Sequence, residues 1–513
     1  MSRPLGARAR SGIKWGGLGV VLSLVFQLGF GAAMARLLDP AAFGLIAMCM
    51  VGLRLFSYIS QIGLSVSLSL VQRPRVEAAD IRFALGVVWL AGLCAMAVVM
   101  LAAPLAARFF HNDAVAPLLR LLAVGLLLQG LASVPMALLR RALRFREQAF
   151  VELGSYALGY GAVGVLAAWQ GWGVWALVAA TLGQNVVALI AGYVFTRHPL
   201  RPSLQGERAV LWGYGARHTL ISLLEFLAAN LDAALIGRLL GESALGLYNR
   251  ALMLTNQPVD RAAGVLTRVL FPLLAALQGD RAKVGSVFML GLGLIGVFGG
   301  VVSLSLCASA SHVVAVLLGP RWIAAVPIVQ LLALAIPVMF MCNIAGVLCD
   351  ALALLRLKLR VQLFGLVVVA SLMLLLYPRG VQGIALALIL GESLRLLVYL
   401  VVLAPQLAYR PGQVLRVLAC VVVTSALAYA LVAGIAAGST RAAWPPLVAL
   451  LADMAAGGLA LLLACLALVA TLAATESGQM AQQHVPGWAW AQRLLGRLGL
   501  LRLRQPDGGV GPR

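Results

Sequence analysis

Arg36-Leu37-Leu38-Asp39-Pro40-Ala41-Ala42-Phe43-Gly44-Leu45 recurs 202 residues later as Arg238-Leu239-Leu240-Gly241-Glu242-Ser243-Ala244-Leu245-Gly246-Leu247, with six of ten positions identical. Each copy follows one apolar run and opens the next. A fixed offset held across ten positions marks an internal repeat. Six apolar runs make up each repeat. Six is even, so both halves enter a membrane with the same orientation, related by an axis along the membrane normal.

Outward from this pair, the whole chain reads as spans. A spanning helix needs about 20 apolar residues at about 1.5 Å each. Fourteen runs qualify, near 13–35, 43–70, 83–107, 118–139, 148–169, 174–195, 213–237, 244–275, 285–310, 322–350, 361–377, 381–404, 415–436 and 446–472. The expected fold is therefore an all-α polytopic membrane protein of about fourteen transmembrane helices. It comprises a six-helix lobe over 1–196, a second over 213–404, two extra helices over 415–472 and a cytoplasmic tail over 473–513. Trp488–Leu503 in that tail reads as a stretch lying on the membrane surface.

Composition agrees. Apolar residues make up 62% of the 513 and charged residues 11%, against roughly half and a quarter in a soluble domain. That excludes a soluble enzyme, a disordered chain and a small disulfide scaffold. A net charge of +22 would suit nucleic acid, but nucleic-acid binders are not this apolar, and no nucleic-acid partner is expected. With the amino terminus inside, 26 of the 39 Lys and Arg residues fall on the inner side and six on the outer. This is the positive-inside pattern, and it puts both termini in the cytoplasm. It also retains the polar eighth span, since dropping it would move Arg356, Lys358 and Arg360 outside. Met1–Lys14 is basic, but the apolar run after it is a full span leading into others, which reads as a first helix rather than a cleavable signal.

The seven cysteines all sit in apolar stretches with no CxxC, and the five histidines form no HExxH. Neither a disulfide framework, a metal site nor a cofactor is expected. Gly291-Leu292-Gly293-Leu294-Ile295-Gly296 fits a dinucleotide fingerprint by letter. Lying inside an apolar span with no preceding strand, it reads as close helix packing. No Walker A sequence and no catalytic arrangement is present, so no catalytic residue is assigned.

Ionisable side chains inside spans are expensive and mark pathways. In span 7, His218, Glu225 and Asp232 are seven apart and share one face. In span 8, Arg250, Gln257, Arg261 and Arg268 lie within about 40° of one another on the helix. In span 2, Arg54, Tyr58, Gln61 and Ser65 form a weaker stripe. The three stripes point to a wet cavity of net positive charge. Competing structural readings stand beside this one. Arg268 reads equally as snorkelling, Arg250 as locked to Asp232 or Glu242, and Glu392 with Arg395 as a neutralising pair that helps helices pack. Asp350 and Glu152 read as interfacial, and Asp453 as a lone acid without an evident partner.

The R-L-L-x-P-x-x-F-G element at 36–44 and the G-R-L-L-G-x-x-x-L-G-x-Y-N-R-A element at 237–251 resemble the Wzx-type polysaccharide-exporter flippases of the multidrug/oligosaccharidyl-lipid/polysaccharide exporter superfamily. The resemblance, over about 10–410, is to the branch around colanic-acid-type exporters; Ala42 departs from the acid that many relatives carry before the Phe-Gly. It implies a bacterial inner-membrane protein that carries a polyprenyl-diphosphate-linked oligosaccharide between leaflets by alternating access. The implied partners are that cargo, membrane lipid, a polysaccharide polymerase and a chain-length regulator. A row of arginines suits a diphosphate, because the guanidinium fork stays charged and binds phosphate in two places. Arg54, Gln61, Arg250, Gln257, Arg261 and Arg268 are therefore the substrate-binding candidates. His218, Glu225 and Asp232 either balance that charge or take up a coupling proton or sodium. The rival readings are a lipid-linked peptidoglycan-precursor flippase, a drug antiporter, a membrane polymerase or glycosyltransferase, and a non-transporting assembly scaffold.

Overall fold

Backbone N–H and carbonyl groups that cross lipid must be paired within the protein, and a long apolar run achieves this by itself as a helix. The computed structural model is accordingly helical, with no strand among the described residues. It describes residues 22–54 except 24, 76–204, 230–256, 264, 270, 274, 277, 279–407, 409 and 411–472. Among these, nine helical stretches are long and apolar enough to cross a membrane.

The helices are α1 (Val25–Leu37) and α2 (Pro40–Arg54), α3 (Ala78–Phe110), α4 (Val115–Arg141), α5 (Phe145–Trp169) and α6 (Val174–Thr196). A hairpin over 230–256 follows, with arms α7 (230–240) and α8 (242–256); it reverses at Gly241, whose φ of +84° suits glycine. Then come α9 (Arg281–Leu317), α10 (Val326–Ala351), α11 (Leu355–Leu376), α12 (Gly380–Leu407), α13 (Pro411–Arg441) and α14 (Pro446–Leu472). Every expected span from the third to the sixth and from the ninth to the fourteenth has its helix. Most of the second span, parts of the first, seventh and eighth, and the tail over 473–513 lie outside the described residues.

The described residues fall into two compact units, one up to Asn249 with Leu317–Trp322, the other from Arg250 without that segment. In the first unit α3 packs on α4, α4 on α6, and α5 on α6. The middle of α5 widens into a π-helix over Tyr156–Gly164. Its glycines let neighbours close in: Gly159 meets the backbone of Gln184, Gly161 the ring of Phe30, and Gly164 the side chain of Ala180. The segments assigned by charge to the outer side gather at one end. Arg238 Nη1 donates to the Phe109 carbonyl at 2.8 Å, Asn112 Nδ2 to Glu242 at 3.0 Å, and Arg321 Nη1 to Asp39 at 3.2 Å. Fully buried Trp322 donates its indole N–H to the Ala35 carbonyl at 2.7 Å. Segments assigned to the inner side gather at the other end, where Arg144 Nη1 donates to the Phe195 carbonyl at 2.9 Å and the Ser203 N–H to the Arg82 carbonyl at 2.9 Å.

The two repeat copies touch reciprocally. Gly44 lies against the backbone carbonyl of Glu242, and Gly246 against that of Pro40. Positions 40 and 242, like 44 and 246, are equivalents in the repeat, so one contact is made twice.

In the second unit α10 and α11 pack on α12, and α13 packs on α14. The glycine run of α9 is the packing surface expected of it. Gly291 meets Leu270 and Ile344, Gly296 meets Met341 and Val421, Gly299 meets Phe340, and Gly300 meets Ser425.

An alanine at position 44 or 246 would drive its Cβ into a backbone carbonyl that no rotamer change can move. Gly44→Ala and Gly246→Ala should each destabilise the protein by about 1–3 kcal/mol, seen as earlier thermal unfolding of the full chain in detergent. Gly434→Ala, with open space around it, should show no loss. Unfolding of Gly246→Ala at the wild-type temperature would rule out the close approach.

Candidate functional site

Polar side chains in lipid-spanning helices need partners, because water is absent and an unsatisfied group costs several kcal/mol. The described polar residues follow this rule in two places.

The first lies in the unit that ends at Asn249. Arg54, exposed at the end of α2, reaches the Asn230 side-chain oxygen at 3.4 Å. Two residues on, Asp232 accepts the phenol O–H of Tyr248 at 2.6 Å and the Ala233 N–H at 2.7 Å. The hairpin turn at Gly241 brings Tyr248 back beside Asp232, sixteen positions earlier, and Tyr248 is fully buried. Asp232 thus has a neutral partner. Glu242, the other acid considered for Arg250, accepts from Asn112. Arg250 itself places Nη1 3.1 Å from the Met253 sulfur. His218, Glu225, Gln61, Gln257, Arg261 and Arg268 lie outside the described residues.

The second place is a cavity of about 270 Å³ wholly within the other unit. Its polar wall consists of Asn256 from α8, Asn343 and Asp350 from α10, Lys358 and Gln362 from α11, and Arg395 from α12. Lys358 Nζ donates to both carboxylate oxygens of Asp350, at 2.9 and 2.7 Å. The turn between α10 and α11, with Ala353 at φ +56°, places this pair. Arg395 pairs with Glu392 one turn earlier, and their side chains are 24% and 8% exposed. Gly365 on α11 makes room for the Arg395 stem, since a Cβ there would strike its Cδ. Arg395 keeps one donor in reserve, the buried Nε, which has no partner among the described residues.

This wall carries two cations, each beside its own acid, and three amides. Such a surface binds by hydrogen bonding without net charge and suits a ligand rich in hydroxyl groups. Glu392–Arg395 is the neutralising pair the sequence suggested, here at a cavity wall. Asp350, expected at the interface, lines the same cavity. Asn256, Asn343 and Gln362 went unnoticed. Gln362 is the only amide in its apolar run, a signal available but weak. Asp453, read as a lone acid, has a partner: His312 Nδ1 lies 2.7 Å from its Oδ2.

Residues 33–327 match the family described as "Polysaccharide biosynthesis protein". The chain is 26% identical over 328 residues to the lipopolysaccharide biosynthesis protein WzxC of Escherichia coli, covering 63% of this chain and 65% of that one. It is 28% identical over 313 residues to the succinoglycan biosynthesis transport protein ExoT of Rhizobium meliloti, covering 60% and 62%. The matches thus span less than two thirds of these relatives' length. Among solved structures, the fold is similar to lipid II flippase MurJ in an inward closed conformation, with TM-score 0.65, 11% identity and coverage of 88% and 98%. It is also similar to an inward-facing multidrug resistance MATE family transporter, with TM-score 0.54, 16% identity and coverage of 77% and 95%.

Removing Arg395 alone would strand a buried carboxylate. Arg395→Ala should destabilise the protein by about 3–5 kcal/mol, while the double change Glu392→Gln, Arg395→Met should recover most of the loss. Thermal unfolding in detergent reads both, and a double mutant no more stable than Arg395→Ala would contradict the pairing. A polytopic helical protein whose polar interior is sorted into paired charges, and whose sequence matches over more than half its length, belongs to the polysaccharide biosynthesis protein family.

Proposed function

We propose that this chain is a flippase of the bacterial inner membrane, translocating a polyprenyl-diphosphate-linked oligosaccharide from the cytoplasmic to the periplasmic leaflet during surface polysaccharide biosynthesis. The observation that carries the reading is a polysaccharide-biosynthesis sequence realised as long apolar helices enclosing a polar, hydroxyl-suited cavity. The naming of one relative as a succinoglycan biosynthesis transport protein points the same way. The working arrangement is about fourteen spans, with lobes over 1–196 and 213–404, extra helices over 415–472 and both termini cytoplasmic. Transport proceeds by alternating access, and no chemical step is assigned. A polysaccharide polymerase and a chain-length regulator act beside it.

In this reading Arg54 and Gln61 on the second span, and Arg250, Gln257, Arg261 and Arg268 on the eighth, contact the diphosphate. His218, Glu225 and Asp232 partly balance the charge of that arginine row, one of the two roles expected of them. The cavity amides Asn256, Asn343 and Gln362 contact sugar hydroxyls. The division of labour is chemical: a diphosphate needs forked cations, whereas hydroxyls need neutral donors and acceptors.

The test is the Arg250→Ala, Arg261→Ala double mutant, with surface polysaccharide output measured beside protein abundance. A charge-assisted hydrogen bond is worth about 1.5–3 kcal/mol, so output should fall about 10- to 100-fold with abundance unchanged. Arg→Lys at both sites keeps the charge and loses the fork, so it should fall less. Normal output from the Ala double mutant would end the assignment.

A further inference from the structure

The diphosphate and sugar contacts leave one buried titratable pair unused. His312 on α9 and Asp453 on α14 meet at 2.7 Å, with side chains 10% and 1% exposed. Among the described residues, the second oxygen of Asp453, Oδ1, is buried without a hydrogen-bond partner, as is the hydroxyl of Ser305. These atoms belong to one seam. Ser305, Ser309 and His312 follow one another at helical spacing on α9, and Gly457, one turn beyond Asp453, lies beside Ser305. Ser309 donates to the Ser305 carbonyl at 2.9 Å.

We infer that His312 and Asp453 form a proton-binding site through which the transmembrane proton gradient is coupled to transport. The coupling rests on the transporter reading above; the binding does not. With neutral His312 donating its Nδ1–H to ionised Asp453, the pair carries one net negative charge in an apolar seam with a carboxylate oxygen unsatisfied. Burying such a charge is costly. One proton added from water on the imidazole Nε2 brings the pair to net zero. It is therefore a store for a single proton. A hard metal cation asks for about six or more oxygen ligands, and the seam offers two unpartnered oxygens.

Depth favours exchange. His312 lies five residues before the end of α9 at Leu317, and Asp453 seven after the start of α14 at Pro446. Both are within about 10 Å of the helix ends that the arginine distribution assigns to the outer face. Among the described residues, the other ionisable side chains on the surrounding helices are Arg281, Lys283 and Cys307 on α9, and Cys342, Cys349 and Asp350 on α10. Those on α13 are Arg416, Cys420, Tyr429 and Arg441, and α14 adds Cys465. None of these is hydrogen-bonded or ion-paired to His312 or Asp453.

The experiment measures proton uptake by the full chain in lipid nanodiscs on acidification from about pH 8 to about pH 5. Wild type should take up about one more proton per chain than Asp453→Asn. In that variant the amide oxygen still accepts from His312, so the seam holds, but no carboxylate remains to balance an imidazolium. His312→Gln, which keeps a donor and removes the imidazole, should show the same loss. In proteoliposomes, leaflet exchange of a fluorescent polyprenyl-diphosphate-linked disaccharide should quicken in wild type under an acid-outside gradient and be indifferent to it in both variants. Equal proton uptake by wild type and Asp453→Asn would overturn the site and leave a structural tether. Lower uptake with unchanged gradient dependence would overturn the coupling. Failure of wild type to move the probe at all would count against the transporter reading, while proton uptake would still decide the site.

Discussion

Two glycines set how closely the repeated segments approach. Gly44 and Gly246 each rest on a carbonyl from the other copy, so α2 and α8 cross with nothing but backbone between them. In lipid there is no hydrophobic gain in bringing two apolar helices together, and close packing over small residues is what holds them. The crossing anchors both helices near one end and fixes where their remaining residues lead. On α2 that path runs to Arg54; on α8 it runs to Tyr248. The same logic recurs on α9, where Gly291, Gly296, Gly299 and Gly300 admit neighbours from three other segments.

Charge is handled under the same constraint. Four pairs bring together polar groups described inside the helices: Asp232 with Tyr248, Lys358 with Asp350, Arg395 with Glu392, and His312 with Asp453. Pairing lowers the desolvation cost without adding much stability of its own. What such pairs do contribute is position. Arg395 and Lys358 hold a cavity wall that is polar and charge-balanced. His312 and Asp453 hold a single dissociable proton between two helices. The exposed Trp169, Trp172 and Trp175 sit where an aromatic belt would meet the membrane surface.

Much of this was legible in the residues alone. Span length and apolarity located ten described helices, with ends within about seven residues, because a long apolar run satisfies its backbone in lipid as a helix. The repeat pointed to the segments around Gly44 and Gly246, though not that they touch. The pairing of Glu392 with Arg395 was legible because its members are one turn apart. The pairing of His312 with Asp453 was not, because 141 residues separate them and one-dimensional spacing carries no information about which helices become neighbours. The cavity amides were hidden for a related reason: Asn256, Asn343 and Gln362 come one each from three helices, and no spacing along the chain relates them. Nor does the π-helix in α5 show in the pattern, since its glycine-rich stretch reads equally well as ordinary α-helix. Asp232 illustrates a different limit. A seven-residue spacing put it on a stripe with His218 and Glu225, while its partner Tyr248 comes from across a turn that the glycine at 241 makes possible.

The central claim is that the chain carries a lipid-linked oligosaccharide across the membrane. The most direct measurement is the leaflet position of that lipid when the chain is depleted from living cells. Spheroplasts can be treated with a membrane-impermeant glycosidase and the surviving lipid-linked oligosaccharide counted. The account predicts that depletion makes this lipid accumulate in a form the glycosidase cannot reach, and that restoring the chain exposes it. Accumulation in a form fully open to the glycosidase would place the chain after translocation and contradict the account.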